Sequence, residues 1–173
     1  MKNSKAKNAA LFGVMVALAF TFSYLESLIP FDFGIPGVKL GLANLVVVTA
    51  LYIMKPSQAF AISVIRILLA SITFGNVYSL AYSLCGGLLS FAVMWALRKS
   101  KLSIIGVSML GGICHNLGQI ITAAIVMQTA RIVYYFPVLL IAGLVTGLLL
   151  GIVSKAVVNR FEKIKKIAST DKP

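Results

Sequence analysis

The chain has 173 residues, of which 60% are hydrophobic and only 12% charged, about half the charged share of an ordinary soluble domain. At 18.5 kDa and a mean hydropathy of +0.98, a soluble fold has no interior large enough to hide that apolar surface, so composition points to burial in lipid. Lys and Arg number 16 against 4 Asp and Glu, a net charge of +12, and because these cations fall between and beyond the apolar runs they suit membrane orientation rather than nucleic acid.

The length permits one membrane domain. No Gly-x4-Gly-Lys-Ser/Thr phosphate loop occurs, and no separate ATPase, kinase or synthase domain fits. No tandem repeat and no low-complexity linker divides the chain, so residues 1–158 read as one transmembrane domain and residues 159–173 as a basic cytoplasmic tail. Cys85 and Cys114 lie inside apolar runs and read as small hydrophobes in helix packing.

A helix rises about 1.5 Å per residue, so about 20 residues cross about 30 Å of hydrocarbon. Six segments are expected to span, giving an all-α bundle. The first covers residues 9–28 and ends at Pro30. Its length and the absence of a small-residue cleavage site mark it as a retained span rather than a signal peptide. A turn-rich stretch, 31–37, leads to a second span at 39–54, closed by Lys55 and Pro56. The third is expected at 57–73, breaking at Gly75 and Asn76, and the fourth at 77–97, ending in Arg98, Lys99 and Lys101. The fifth and sixth are expected at 102–127 and 133–158. The second and third are short, and five spans is the competing count.

With the N-terminus in the cytoplasm, the inner side receives Lys2, Lys5, Lys7, Lys55, Arg98, Lys99, Lys101 and the cations of the tail. The outer side receives only Lys39 and Arg131. That bias places both termini in the cytoplasm of a multi-pass protein of the cell membrane.

Arg66 lies near the middle of the third span, where a charge costs at least about 3 kcal/mol. It is expected to face the interior, either as a structural residue paired with Glu26 or helix-end carbonyls, or as a ligand contact. On the fifth span, His115, Asn116 and Gln119 form a polar strip at helical spacing. His115 is the only histidine, which excludes a multi-histidine metal site. Depth arithmetic puts Arg66 about 15 Å and His115 about 20 Å from the inner ends of their spans. Asn44 enters from the outer side, and Lys39 and Arg131 sit near the outer mouth. These positions predict a pocket opening outward, with Lys39, Asn44, Arg66, His115, Asn116, Gln119 and Arg131 as substrate contacts and a small, anionic ligand. The loop holding Gly34, Pro36 and Gly37 reads either as a lid or as a tight connection.

Two stripes of small residues recur at four-residue spacing: Ala9, Gly13 and Ala17 on the first span, and Gly143, Gly147 and Gly151 on the sixth. The sixth-span stripe reads as internal packing, and the first either as internal packing or as docking to another membrane subunit. The only aspartates are Asp32 and Asp171, so the aspartate-rich motifs that hold magnesium and diphosphate in prenyl-chain synthesis are missing. No paired carboxylate or Ser-His-acid constellation is evident. Catalysis by this chain is not expected, and neither a metal nor a cofactor is.

The segments Tyr24-Leu25-Glu26-Ser27-Leu28-Ile29-Pro30 and Pro36-Gly37-Val38-Lys39-Leu40-Gly41-Leu42-Ala43-Asn44 resemble bacterial membrane proteins called heptaprenyl diphosphate synthase component I, or Gx transporters. The Arg66 segment, the Phe74-Gly75-Asn76 turn and the stretch from Gly112 to Gln119 carry the same likeness, which covers residues 9–158. That family is similar to the substrate-binding S components of energy-coupling factor (ECF) importers. The resemblance implies a six-helix bundle with an outward-accessible pocket for a small molecule. It also implies that Ala9, Gly13 and Ala17 dock a transmembrane coupling subunit, with ATP hydrolysis supplied by two separate ATPases. An S-component-like role in import is the leading expectation. The alternative is a non-catalytic accessory subunit in polyprenyl diphosphate or quinone- and flavin-linked metabolism.

Overall fold

The computed structural model describes residues 2–28 and 41–170, with side chains over residues 5–28 and 41–168. Every regular element among them is helical: α1 (Lys2–Leu28), α2 (Asn44–Ile53), α3 (Pro56–Phe74), α4 (Val77–Leu97), α5 (Ile104–Val126), a 3-10 helix (Ala130–Tyr135) and α6 (Phe136–Thr170). The helix starts follow local chemistry. Pro56 occupies the first turn of α3, where its missing N–H costs nothing. The Asn76 side chain accepts the Ser79 N–H at 2.8 Å to open α4, and the Ser103 hydroxyl accepts the Gly106 N–H at 3.2 Å to open α5.

Five of the helical segments are long and apolar enough to cross a membrane. The second segment differs from expectation. α2 has only 10 residues, about 15 Å of helix, which is half the thickness of a hydrocarbon core. Rather than meeting lipid along its length, it is wrapped by neighbours: Val46, Val47, Val48, Ala50 and Leu51 form one core with Met15 and Ala19 of α1, Ala59 and Ile62 of α3, and Phe91 and Met94 of α4. The expected boundary at residue 158 also falls inside a helix, because α6 runs unbroken for 35 residues, and the basic tail continues it. α1 likewise extends back through the basic N-terminal residues to Lys2.

α5 is the most closely packed helix, lying between α4 and α6, while α1 packs chiefly on α3. The α5–α6 seam is built from glycine. A Cβ at Gly112 would sit 2.3 Å from the Gly143 carbonyl oxygen, and Cβ atoms at Gly147 and Gly151 would strike the α5 backbone near Met109 and Ile105. The sixth-span stripe is thus used inside the bundle, where small residues let two backbones meet. At the opposite end of the bundle a second core joins Tyr82, Ile120, Ala123, Ile132 and Leu139. Large apolar side chains cover the outer surface, among them Ile72, Ile125, Val138 and Ile141, as a lipid-facing surface requires.

Gly112→Val drives a branched side chain into a backbone carbonyl and is expected to lower the unfolding free energy in detergent by about 2–3 kcal/mol. Gly13→Ala, with nothing within 4 Å of its Cβ, is expected to raise it by about 0.5–1 kcal/mol, because alanine is the better helix former. Denaturant titration followed by circular dichroism measures both.

Candidate functional site

Buried polar residues occur on all six α-helices, and those expected to form the site lie on α1, α2, α3 and α5. Arg66 is buried in the middle of α3 and donates from Nη2 to the Asn44 Oδ1 at 2.9 Å. Asn44 is the first residue of α2. Glu26, buried near the end of α1, accepts the N–H of Gly41 and attracts the Arg66 guanidinium by its charge. Gly41 has φ of +80°, a conformation that costs a side chain dearly and glycine nothing. A Cβ there would also lie 2.8 Å from the Asn44 amide nitrogen. The residue that turns the chain into α2 therefore has to be glycine on two counts.

Asn44 links this group to α5. It lines a small cavity together with Ser90, Ser108, His115 and Thr146, and the His115 ring lies beside Gly41. Asn44 thus touches Arg66 through a hydrogen bond and shares a cavity with His115. The cavity itself is about 10 Å³, room for one water at most. The expected outward-opening pocket includes Lys39 and the loop with Gly34, Pro36 and Gly37, which lie outside the described residues. The guanidinium donates to Asn44 through Nη2 and feels the charge of Glu26, while its Nε has no hydrogen-bond partner.

The α5 strip divides. His115 and Gln119 face α4, where a Cβ at Gly86 would meet the His115 carbonyl at 2.8 Å and the Gln119 side chain at 3.1 Å. Asn116 points the other way and donates from Nδ2 to the Leu139 carbonyl of α6 at 2.6 Å, so its amide ties two helices together. Successive residues on a helix point about 100° apart, which separates 115 from 116. Gln119 is fully buried, and both its amide atoms lack a hydrogen-bond partner. Arg66 Nε and the Ser90 hydroxyl share that condition.

The remaining expected contacts are elsewhere. Arg131 is exposed on the 3-10 helix and does not line the cavity. Lys39 and the loop with Gly34, Pro36 and Gly37 lie outside the described residues. Ala9, Gly13 and Ala17 all face outward on α1. Cys114 is half-buried, whereas Cys85 is exposed rather than packed, and both are free thiols.

Sequence reasoning missed the Asn44–Arg66 and Glu26–Gly41 partnerships, which span 22 and 15 residues. The available signal was the Gly41-x-x-Asn44 spacing immediately before an apolar run, a turn-to-helix signature.

The family model described as heptaprenyl diphosphate synthase component I matches residues 15–157. No curated protein and no solved structure matches the chain. The chain belongs to the heptaprenyl diphosphate synthase component I family.

Removing the Asn44 acceptor while Arg66 remains buried is expected to cost about 1–3 kcal/mol of unfolding free energy in Asn44→Ala. Gln119→Met removes two unpartnered polar atoms and is expected to be neutral or stabilising. Opposite signs for the two variants in a detergent unfolding titration are the expected result.

Proposed function

Starting from that family membership, we propose that the chain is the non-catalytic, membrane-embedded component of a polyprenyl diphosphate synthase, and that it works by holding a partner subunit at the bilayer of the cell membrane. The family description names a component I, which implies a second component. The chain has only 4 acidic residues in all, and the buried one on α1, Glu26, is engaged by Gly41 and Arg66. Metal-diphosphate chemistry in such an assembly belongs to a chain richer in carboxylates.

The observation that carries this reading is the outer face of α1. Ala9, Gly13 and Ala17 are exposed together, and nothing lies within 4 Å of where a Gly13 Cβ would be. In lipid, a strip of small residues gains nothing from facing acyl chains but allows a second helix to approach closely. The physical benefit of membrane attachment is plain. A growing prenyl chain gains about 0.8 kcal/mol per CH₂ on entering hydrocarbon, so a synthase held at the bilayer releases its product directly into its preferred phase.

A second reading, an S-component-like subunit of an ECF-type importer, is favoured by one observation. The buried Gln119 amide and Arg66 Nε have unused hydrogen-bonding capacity next to the polar cluster. On this reading the ligand needs more room than the cavity beside Asn44 and His115 offers, which holds at most one water. The α1 face would serve a coupling subunit in that case.

Affinity capture from the native membrane with Gly13→Leu as the control separates the two. Recovery of a prenyl synthase subunit, reduced at least about tenfold by Gly13→Leu at a cost in packing of under about 0.5 kcal/mol, is the expected outcome. Recovery of a transmembrane coupling subunit with ATPases selects the importer reading, and equal recovery with Gly13→Leu rules out the α1 face as the docking surface.

A further inference from the structure

The N-terminal end of α3, with Lys55 and Pro56, lies beside the C-terminal end of α4, and between them is a groove of about 440 Å³ lined by Pro56, Trp95, Ala96, Arg98 and Lys99. Its volume is in the range of small-molecule sites. The polar lining is cationic. Lys101 follows a few residues on, and the acid that the α6 extension carries, Glu162, is surrounded in sequence by Arg160, Lys163, Lys165 and Lys166. Arg98 is half-buried and reaches the Leu51 carbonyl only at 3.4 Å, so its guanidinium keeps donors for another acceptor.

One side of the groove is apolar and continues into the bilayer-facing surface. Trp95 is 55% exposed, and Leu88, Ala92 and Trp95 are all exposed on α4 at spacings that stack them on one helix face, with the exposed Lys99 in the turn just past the helix end. Phe60 of α3, packed on Phe91 at 5.3 Å between ring centroids and 42% exposed, borders the same face. A cationic end thus tops an apolar track that carries an indole, the side chain favoured where hydrocarbon meets head groups.

We propose that this groove is a binding site for the phosphate-bearing head of an amphiphile, with Arg98 and Lys99 holding the head and the apolar chain lying along Trp95 and Leu88. The guanidinium fork matches phosphate oxygens, and the flexible ammonium supplies a second point charge. The phosphate chemistry follows from the groove. Only its assignment to a prenyl diphosphate, as opposed to an anionic phospholipid, rests on the synthase-component reading.

Trp95 is the sole tryptophan of the chain, so indole fluorescence reports on this groove alone. The full chain in phosphatidylcholine nanodiscs is titrated with farnesyl diphosphate and, in parallel, with inorganic diphosphate; a third series replaces phosphatidylcholine with phosphatidylglycerol. A saturable emission change with farnesyl diphosphate, weakened about fivefold for each cation removed in Lys99→Gln and in Arg98→Gln/Lys99→Gln, is expected. The same behaviour with phosphatidylglycerol alone keeps the site and assigns it to bilayer lipid. No saturable change in any series, an equal response to inorganic diphosphate, or an unchanged affinity in Lys99→Gln overturns the proposal. Lys99 is exposed, so that variant is expected to fold normally. The titration uses no partner subunit, so its outcome is independent of the capture experiment.

Discussion

The bundle is organised around one guanidinium that has no water to go to. A charge in the middle of an apolar helix costs at least about 3 kcal/mol, and leaving it there without partners costs more. Arg66 therefore dictates what surrounds it. Asn44 supplies an acceptor from the first turn of α2, and Glu26 supplies a counter-charge from α1. Glu26 also holds the Gly41 amide, which fixes the turn that launches α2. Three helices and one turn are thus tied at a single point. The short α2, which cannot span lipid by itself, has its polar start anchored there and its apolar remainder buried among α1, α3, α4 and α6.

The other half of the bundle depends on close backbone contact rather than charge. α5 meets α6 across Gly112, Gly143, Gly147 and Gly151, and meets α4 across Gly86 and Gly118. Asn116 adds a hydrogen bond to the α6 backbone at Leu139. Beside these contacts, the cavity lined by Asn44, Ser90, Ser108, His115 and Thr146 has room for one water. Two further features lie on the outer surface, the small-residue face of α1 and the cationic groove beside Trp95. Both are features that a partner subunit and a phosphate-headed amphiphile fit without any opening of the bundle.

The sequence made a good part of this legible. Continuous apolar runs of adequate length marked five long helices, because hydropathy reports directly on the solvent a helix prefers. The energetic penalty on Arg66 required an interior position, and it has one. The glycine spacing on the sixth span pointed to close packing, and α5 fills that role. What escaped was set by tertiary contacts. The second apolar run, Leu45 to Leu51, looks alike whether it meets lipid or protein, and only its wrapping by α1, α3, α4 and α6 distinguishes them. The strip at 115, 116 and 119 looked like one surface because the residues are adjacent in sequence, but the helical rotation sends Asn116 to α6 and the other two toward α4. The Asn44–Arg66 hydrogen bond escaped because its partners lie 22 residues apart. Trp95 could have been noticed as a lone indole beside Arg98 and Lys99 at the end of a span.

The central claim is that the Arg66 charge is compensated inside the protein by Glu26, and a double-mutant cycle tests it most directly. Unfolding free energies of the parent, Glu26→Gln, Arg66→Met and the double variant are compared in the same detergent. The account predicts a coupling of about 1–3 kcal/mol, with the double variant clearly less destabilised than the sum of the singles. Additivity within about 0.5 kcal/mol would contradict it, showing that the guanidinium is satisfied without the carboxylate.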